Sequence, residues 1–227
     1  MRAAHFCRAC GKVQPPVPVD YFAFFGLPRK LNLDVAALER EFYVLSRGLH
    51  PDMNAQTHPK EQEWSLEKTS QLNDAYRTLK DPIKRTEYLL KLEGVQLEEQ
   101  SKEATDKARA TGQAKQQVVP QDLLEEAFEL NLQLEELRAN QKTGENDPEL
   151  VKALEQQKQS LDQKLGGLAR ELESYWHNWD RLIDREQHGQ DAPEEARKQA
   201  RDKMVDLLNR RNYIRNLVRD VNEALGN

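Results

Sequence analysis

The chain is poor in several things that define whole classes of protein. It holds only two cysteines in 227 residues, which is no disulfide framework for a secreted domain. It has no apolar run long enough to cross a bilayer, and its start, Met1-Arg2-Ala3-Ala4-His5-Phe6-Cys7, has no signal-peptide core. A cytoplasmic location and no membrane partner are therefore expected. Aromatic residues are 7% and glycines number ten, a profile that fits helices better than sheets. The net charge of −5 gives no general attraction to nucleic acid or anionic lipid. The first 94 residues are close to balanced and the acidity lies in the remainder, so nucleic-acid binding is not expected. A phosphate-binding glycine loop, a nucleophile motif and a complete metal-ligand set are all lacking. An enzyme, for instance a metal hydrolase built on His50, Asp52 and the cysteines, is the reading these absences exclude.

What is present is charge and helical periodicity. Charged residues are 32% and hydrophobic residues 37%, in keeping with helical bundles that have broad solvated faces. Asp20 to Pro28 reads as a short apolar helical turn closed by Gly26 and Pro28. Asp34 is a good N-cap for a helix whose apolar positions are Leu38, Phe42, Leu45 and Leu49, all on one face. A second amphipathic stretch runs from Gln62 to Leu79, and Lys80-Asp81-Pro82 stops it. A short helix from Pro82 then ends at Gly94.

Residues 95–119 read as a linker. Beyond them, Leu123, Ala127, Leu130, Leu134 and Leu137 mark one long helix, broken by the polar run 142–148. A second helix runs from about Pro148 to His188 and a third starts at Pro193, both with heptad-like apolar spacing. Two polar connections, each under ten residues, predict antiparallel neighbours. The expected fold is all-α: a helical hairpin with flanking short helices over 20–94, then a three-helix antiparallel bundle over 120–227. Gly166-Gly167 is a place where the second bundle helix is expected to kink.

His50-Pro51-Asp52 is the most informative tripeptide. Proline disfavours helix at the preceding residue, so the first long helix stops near His50. The three residues then sit at the tip of a helical hairpin, with an imidazole and a carboxylate facing solvent. Such a tip suits gripping a partner. Proline and aspartate are also ordinary turn residues. Arg40 and Arg47, seven apart, share one side of the same helix and fit either an acidic partner groove or a solvated face.

Cys7 and Cys10 form Cys7-Arg8-Ala9-Cys10, ahead of Gly11 and a proline-rich connector to residue 19. This spacing lets two thiolates reach one metal from a tight turn. It supplies half of a zinc knuckle, with His5 as a third candidate ligand; an incidental thiol pair and a redox pair are the alternatives. On the first bundle helix two apolar tracks run side by side, Leu123-Ala127-Leu130-Leu134 and Leu124-Phe128-Leu132. One can fill the bundle while the other faces a partner.

These residues resemble a family. His50-Pro51-Asp52 between two helices is similar to the J-domain, by which co-chaperones stimulate ATP hydrolysis in DnaK-class chaperones. Asp20-Tyr21-Phe22, Leu72-Asn73-Asp74-Ala75-Tyr76-Arg77-Thr78-Leu79, Pro82, Arg85 and Tyr88-Leu89-Leu90-Lys91-Leu92-Glu93-Gly94 resemble the HscB-type J-domain co-chaperones of iron–sulfur cluster assembly. The resemblance implies a DnaK/HscA-class chaperone ATPase as one partner, touching His50, Pro51 and Asp52, with Arg40 and Arg47 beside them. It implies an iron–sulfur cluster scaffold protein as the other, on Leu124, Glu125, Phe128, Leu132 and Tyr213. A general J-domain co-chaperone with a different client is the alternative. No cofactor is required. Cys7 and Cys10 resemble one half of the zinc-binding extension of eukaryotic relatives, and a site shared in a homodimer would restore four thiolates.

Overall fold

Helix boundaries follow the caps that the sequence supplies. The computed structural model describes residues 5–54, 56–95, 120–145 and 147–226. Helix α1 (Tyr21–Phe24) is capped by the Asp20 carboxylate, which accepts the Ala23 N–H at 2.9 Å. Helix α2 (Val35–Leu49) is capped in the same way by Asp34 on Ala37, also at 2.9 Å. It stops where expected: His50 precedes proline and adopts ψ 132°. A single 3-10 turn, Pro51–Asn54, follows.

Helix α3 (Pro59–Lys80) begins three residues before the amphipathic stretch expected from Gln62. Pro59 is suited to a first helical position, and the His58 ring accepts the Lys60 N–H at 3.3 Å. Asp81 ends α3 and caps α4 (Pro82–Leu92) on Ile83 and Lys84 at 2.9 and 3.0 Å. The remaining helices are α5 (Leu124–Thr143), α6 (Pro148–Gln187) and α7 (Glu194–Leu225). Gly144, at φ 78°, closes α5 in the left-handed conformation. Helix α6 is helical straight through Gly166 and Gly167. Among the described residues the fold is all-α, and no helix is long and apolar enough to cross a membrane. The expected linker over 95–119 lies, but for Val95, outside the described residues.

The chain divides into two compact units, Met1–Gln96 with Trp176–Arg201 and Leu97–Tyr175 with Asp202–Asn227. In the first, Phe22, Phe24, Leu31, Leu49, Leu72 and Leu79 are fully buried. Each contributes roughly 1.5–3 kcal/mol through burial. This unit also takes in the end of α6 and the start of α7, which the sequence reading allots to the bundle. Periodicity shows that a face is buried but not what covers it. Here Trp179 donates its indole N–H to the Arg29 carbonyl at 2.9 Å, and Arg85 lies 5.7 Å from the Trp176 ring. Both tryptophans are buried.

In the second unit the expected track Leu123, Ala127, Leu130, Leu134 and Leu137 is buried in full. It packs with Leu154 and Leu161 of α6 and with Ile214, Leu217 and Val221 of α7. Helices α5 and α6 meet at the short turn after Thr143 and again at the Glu126–Lys164 ion pair, so they run antiparallel. On the other side, the Asp122–Arg210 pair and the Gln141–Ala224 hydrogen bond of 2.9 Å make α7 run parallel to α5.

Candidate functional site

The His50-Pro51-Asp52 turn is held from beneath and open above. The last carbonyls of a helix have no intrahelical partner. In α2 the Leu49 carbonyl accepts two hydroxyls from α3, Ser65 at 2.5 Å and Thr69 at 2.8 Å. The Asn54 amide donates to the Gly48 and His50 carbonyls, at 3.2 and 3.0 Å, and to Ser65 Oγ at 3.2 Å. Asn54, Ser65 and Thr69 belong to no motif that the sequence reading singles out. Their one signal is position: Ser65 and Thr69 are four apart, in line with the buried row Leu72 and Leu79.

Above this base the functional groups are free to meet a partner. The Asp52 N–H donates to His50 Nδ1 at 3.2 Å, which leaves the neutral ring's proton on Nε2. The Asp52 carboxylate stands 3.5 Å from the same nitrogen, and its side chain is 87% exposed. Such a carboxylate, on a fixed turn, is an acceptor shaped for a bidentate guanidinium. Arg40 and Arg47 are both exposed, and between them on the same face of α2 lie Tyr43 and Val44, exposed at 61% and 66%. The two arginines thus share an exposed face of α2 with an apolar pair that periodicity did not flag.

The Cys7–Cys10 segment is a hairpin tip. Phe6 and Val13 form an isolated antiparallel bridge, the Cys7 N–H donates to the Lys12 carbonyl at 2.8 Å, and the Gly11 N–H to the Cys7 carbonyl at 2.9 Å. Gly11 takes φ 73°, a conformation that glycine adopts at no steric cost. The backbone amides of Cys10 and then Ala9 point at the Cys7 sulfur and, with the Cys10 side chain, hold its pKa below the ordinary thiol value. Cys7 is half-buried and Cys10 exposed.

His5 is not the third ligand that the sequence allows. It is buried, and its Nε2 donates to the Phe24 carbonyl at 2.8 Å, so the ring anchors the hairpin to α1. Among the described residues no group of three or more His, Cys, Asp or Glu is placed to hold a metal ion. Two thiols suit zinc by ligand type but fall short of its four-coordinate requirement.

On α5 the second track is exposed throughout: Leu124 at 48%, Phe128 at 64% and Leu132 at 51%. Glu125 and Glu129 are exposed beside it. Tyr213 is a correction. It belongs to the core of the second unit, and burial pushes its phenol pKa up. The α7 seam turns so that Tyr213 and Ile214 both face inward, and Tyr213 cannot serve as a surface contact in this arrangement.

Comparisons with known proteins agree with this geometry. Residues 20–88 match the DnaJ domain family. The co-chaperone protein HscB homolog of Vibrio cholerae is 40% identical over 79 residues, 35% of this chain and 46% of that protein. The mouse iron-sulfur cluster co-chaperone protein HscB is 39% identical over 95 residues, 41% of each chain. The chain therefore spans less than half the length of these curated relatives. The crystal structure of human co-chaperone protein HscB superposes with a TM-score of 0.58 at 21% identity, over 98% of this chain and 91% of that one. The solved structure of the chaperone HscB from Vibrio cholerae gives 0.52 at 22% identity, over 92% of this chain and 98% of that one. Residues 20–88 are thus a DnaJ domain that bears the exposed His50-Pro51-Asp52 turn, and the chain has the fold of the solved HscB structures.

Proposed function

We propose that the chain is a co-chaperone of iron–sulfur cluster assembly that works by binding, in the cytoplasm, and carries out no chemistry of its own. The first unit engages a DnaK/HscA-class chaperone. Asp52 accepts an arginine of its ATPase domain, His50 adds a hydrogen bond, and Arg40 and Arg47 face an acidic groove. The second unit holds an iron–sulfur cluster scaffold protein on Leu124, Phe128 and Leu132, with Glu125 at the rim. The chaperone then hydrolyses ATP and closes on the scaffold. A co-chaperone shifts that equilibrium only by its differential affinity for the partner's two states. We further propose that Cys7 and Cys10 take a zinc ion.

The observation that carries this reading is the His50-Pro51-Asp52 turn, ordered by Ser65, Thr69 and Asn54 beneath it and exposed on its outer side. A loop that served only to join α2 to α3 would have no need of an open carboxylate on a turn fixed from three sides.

The test is chaperone ATPase stimulation by the full chain and by His50→Gln, with scaffold binding measured on both. The expected result is stimulation by the parent, none by the variant, and equal scaffold binding by the two. Equal stimulation would overturn the chaperone reading. Stimulation without any scaffold binding would turn the reading toward a J-domain co-chaperone with another client.

A further inference from the structure

We infer that the outer face of α3 and the proline-rich connector form a groove that takes an extended basic peptide segment of a partner protein. The groove lies within the first unit and has a volume of about 430 Å³. Pro16, Val17 and Tyr21 line one wall, and Glu67, Ser70 and Asp74 of α3 line the other. This face is separate from the His50-Pro51-Asp52 turn. At about 3.6 residues per turn, Glu67 and Asp74 fall on the side of α3 opposite Ser65, whose hydroxyl reaches the Leu49 carbonyl of α2. The occupant is therefore a partner additional to the two proposed above.

The walls are preformed. Proline fixes φ, so Pro16 and Pro18 stiffen the connector. The Tyr21 ring stacks on Tyr88 with centroids 4.4 Å apart, and the Tyr21 N–H donates to the Tyr88 hydroxyl at 3.0 Å. A segment that docks here meets a surface already in shape, which lowers the cost of binding. Its apolar groups are open to solvent: Val17 is exposed, and so is Leu66, one turn ahead of Ser70.

Charge selects the occupant. Glu67 and Asp74 are exposed, and Glu63 continues their row one turn earlier. Among the described residues no ion pair engages any of the three. Lys68, on whose charge Glu67 acts, is itself buried. Arg77, one turn past Asp74, does not line the groove. A row of carboxylates beside an apolar wall repels nucleic acid and anionic lipid and attracts a polypeptide with lysine or arginine.

Spacing selects its conformation. Seven residues of α-helix set Glu67 and Asp74 about 10.5 Å apart along the axis. A polyproline II segment rises about 3.1 Å per residue and repeats every three, so side chains three apart share a side at about 9.3 Å. Two basic residues at that spacing reach both carboxylates, and the residues between them lie on Val17 and Tyr21.

The experiment uses the full chain and reads fluorescence anisotropy. The probes are a short polyproline peptide with arginines three residues apart, the same peptide with glutamates in their place, and one with its arginines adjacent. The expected result is saturable binding of the first peptide, weakened by added salt, with none of the second and less of the third. Glu67→Gln and Asp74→Asn should each lower affinity by about two- to fivefold, and Val17→Ser should lower it too. All three positions are exposed, so circular dichroism should show the fold unchanged. Amide shifts on titration should centre on Val17, Ser70 and Asp74 and leave Asp52 unmoved. Binding that Glu67→Gln/Asp74→Asn leaves intact places the peptide elsewhere and overturns the site. Equal affinity for adjacent arginines reduces the effect to general charge attraction and also overturns it, as does the absence of saturable binding.

Discussion

Phe6 packs on Gly48 so closely that a Cβ on the glycine would lie 2.7 Å from the Phe6 ring carbon Cζ. The cysteine hairpin is thereby seated on α2 two residues before His50, and the absence of a side chain at 48 is what admits it.

Gly48→Ala should lift the hairpin while leaving the rest of the first unit folded. The clash falls on the far end of a side chain, and alanine gains about 1 kcal/mol over glycine inside a helix. Hydrogen exchange checks this. Protection should fall at the Cys7 and Gln14 amides, which bond within the hairpin to Lys12 and His5, with little change at Leu72 or Leu79. Unchanged protection at Cys7 would mean that Phe6 does not hold the hairpin down.

Asp180→Asn should cost about 2–3 kcal/mol, the range for a buried group left without its charged partner. The Asp180 carboxylate accepts from the Leu31 N–H at 2.7 Å, the Asn32 N–H at 2.9 Å and the Asn32 side-chain amide at 2.8 Å. An asparagine offers one acceptor oxygen for these three donors and turns its own amide on the rest. Chemical denaturation of the full chain reads the loss. A cost below about 0.5 kcal/mol would show that the loop before α2 does not depend on Asp180.

Lys68→Met should stabilise the protein at pH 7 and lose that advantage as the pH rises. Lys68 is buried on α3, with its Nζ 3.4 Å from the His5 carbonyl. Burial lowers its pKa from 10.5 to about 8, against an opposing pull from Glu67. The unfolded chain then binds the proton more tightly than the folded one, so wild-type stability is lowest below about pH 8 and grows until the unfolded lysine also loses its proton near 10.5. Methionine removes that cost, on the order of 1–3 kcal/mol at pH 7, less the hydrogen bond given up. Thermal melts of both proteins from pH 6 to about 10.5 follow the difference. A constant gap across the range would refute the charge argument.

Phe128→Ala should weaken scaffold binding by about 1–3 kcal/mol and leave the melting temperature unchanged. The ring is 64% exposed, so its loss opens no cavity. Calorimetric titration of the full chain with the scaffold protein measures the first quantity and a thermal melt the second. A drop in melting temperature with unaltered affinity would return Phe128 to the core.

Much of this was legible in the sequence because it is local. Asp20, Asp34 and Asp81 cap their own helices, Pro51 ends α2, and the spacing of Leu123 to Leu137 names the buried side of α5. The same periodicity separated Leu124, Phe128 and Leu132 as a second track, since residues on one helix keep fixed angular relations whatever packs against them. The sequence by itself therefore determined the helices, the two tracks of α5 and the place of the His50-Pro51-Asp52 turn.

What only the tertiary structure decided depends on residues far apart in the chain. Ser65 and Thr69 reach the Leu49 carbonyl, Asp180 reaches Leu31, and His5 is drawn from the cysteines to Phe24. Tyr213 turns inward because α7 buries adjacent positions where a strict heptad would bury one. Hydrogen-bond partners and burial are set by which helix faces which, and periodicity within a single helix carries no information about its neighbour.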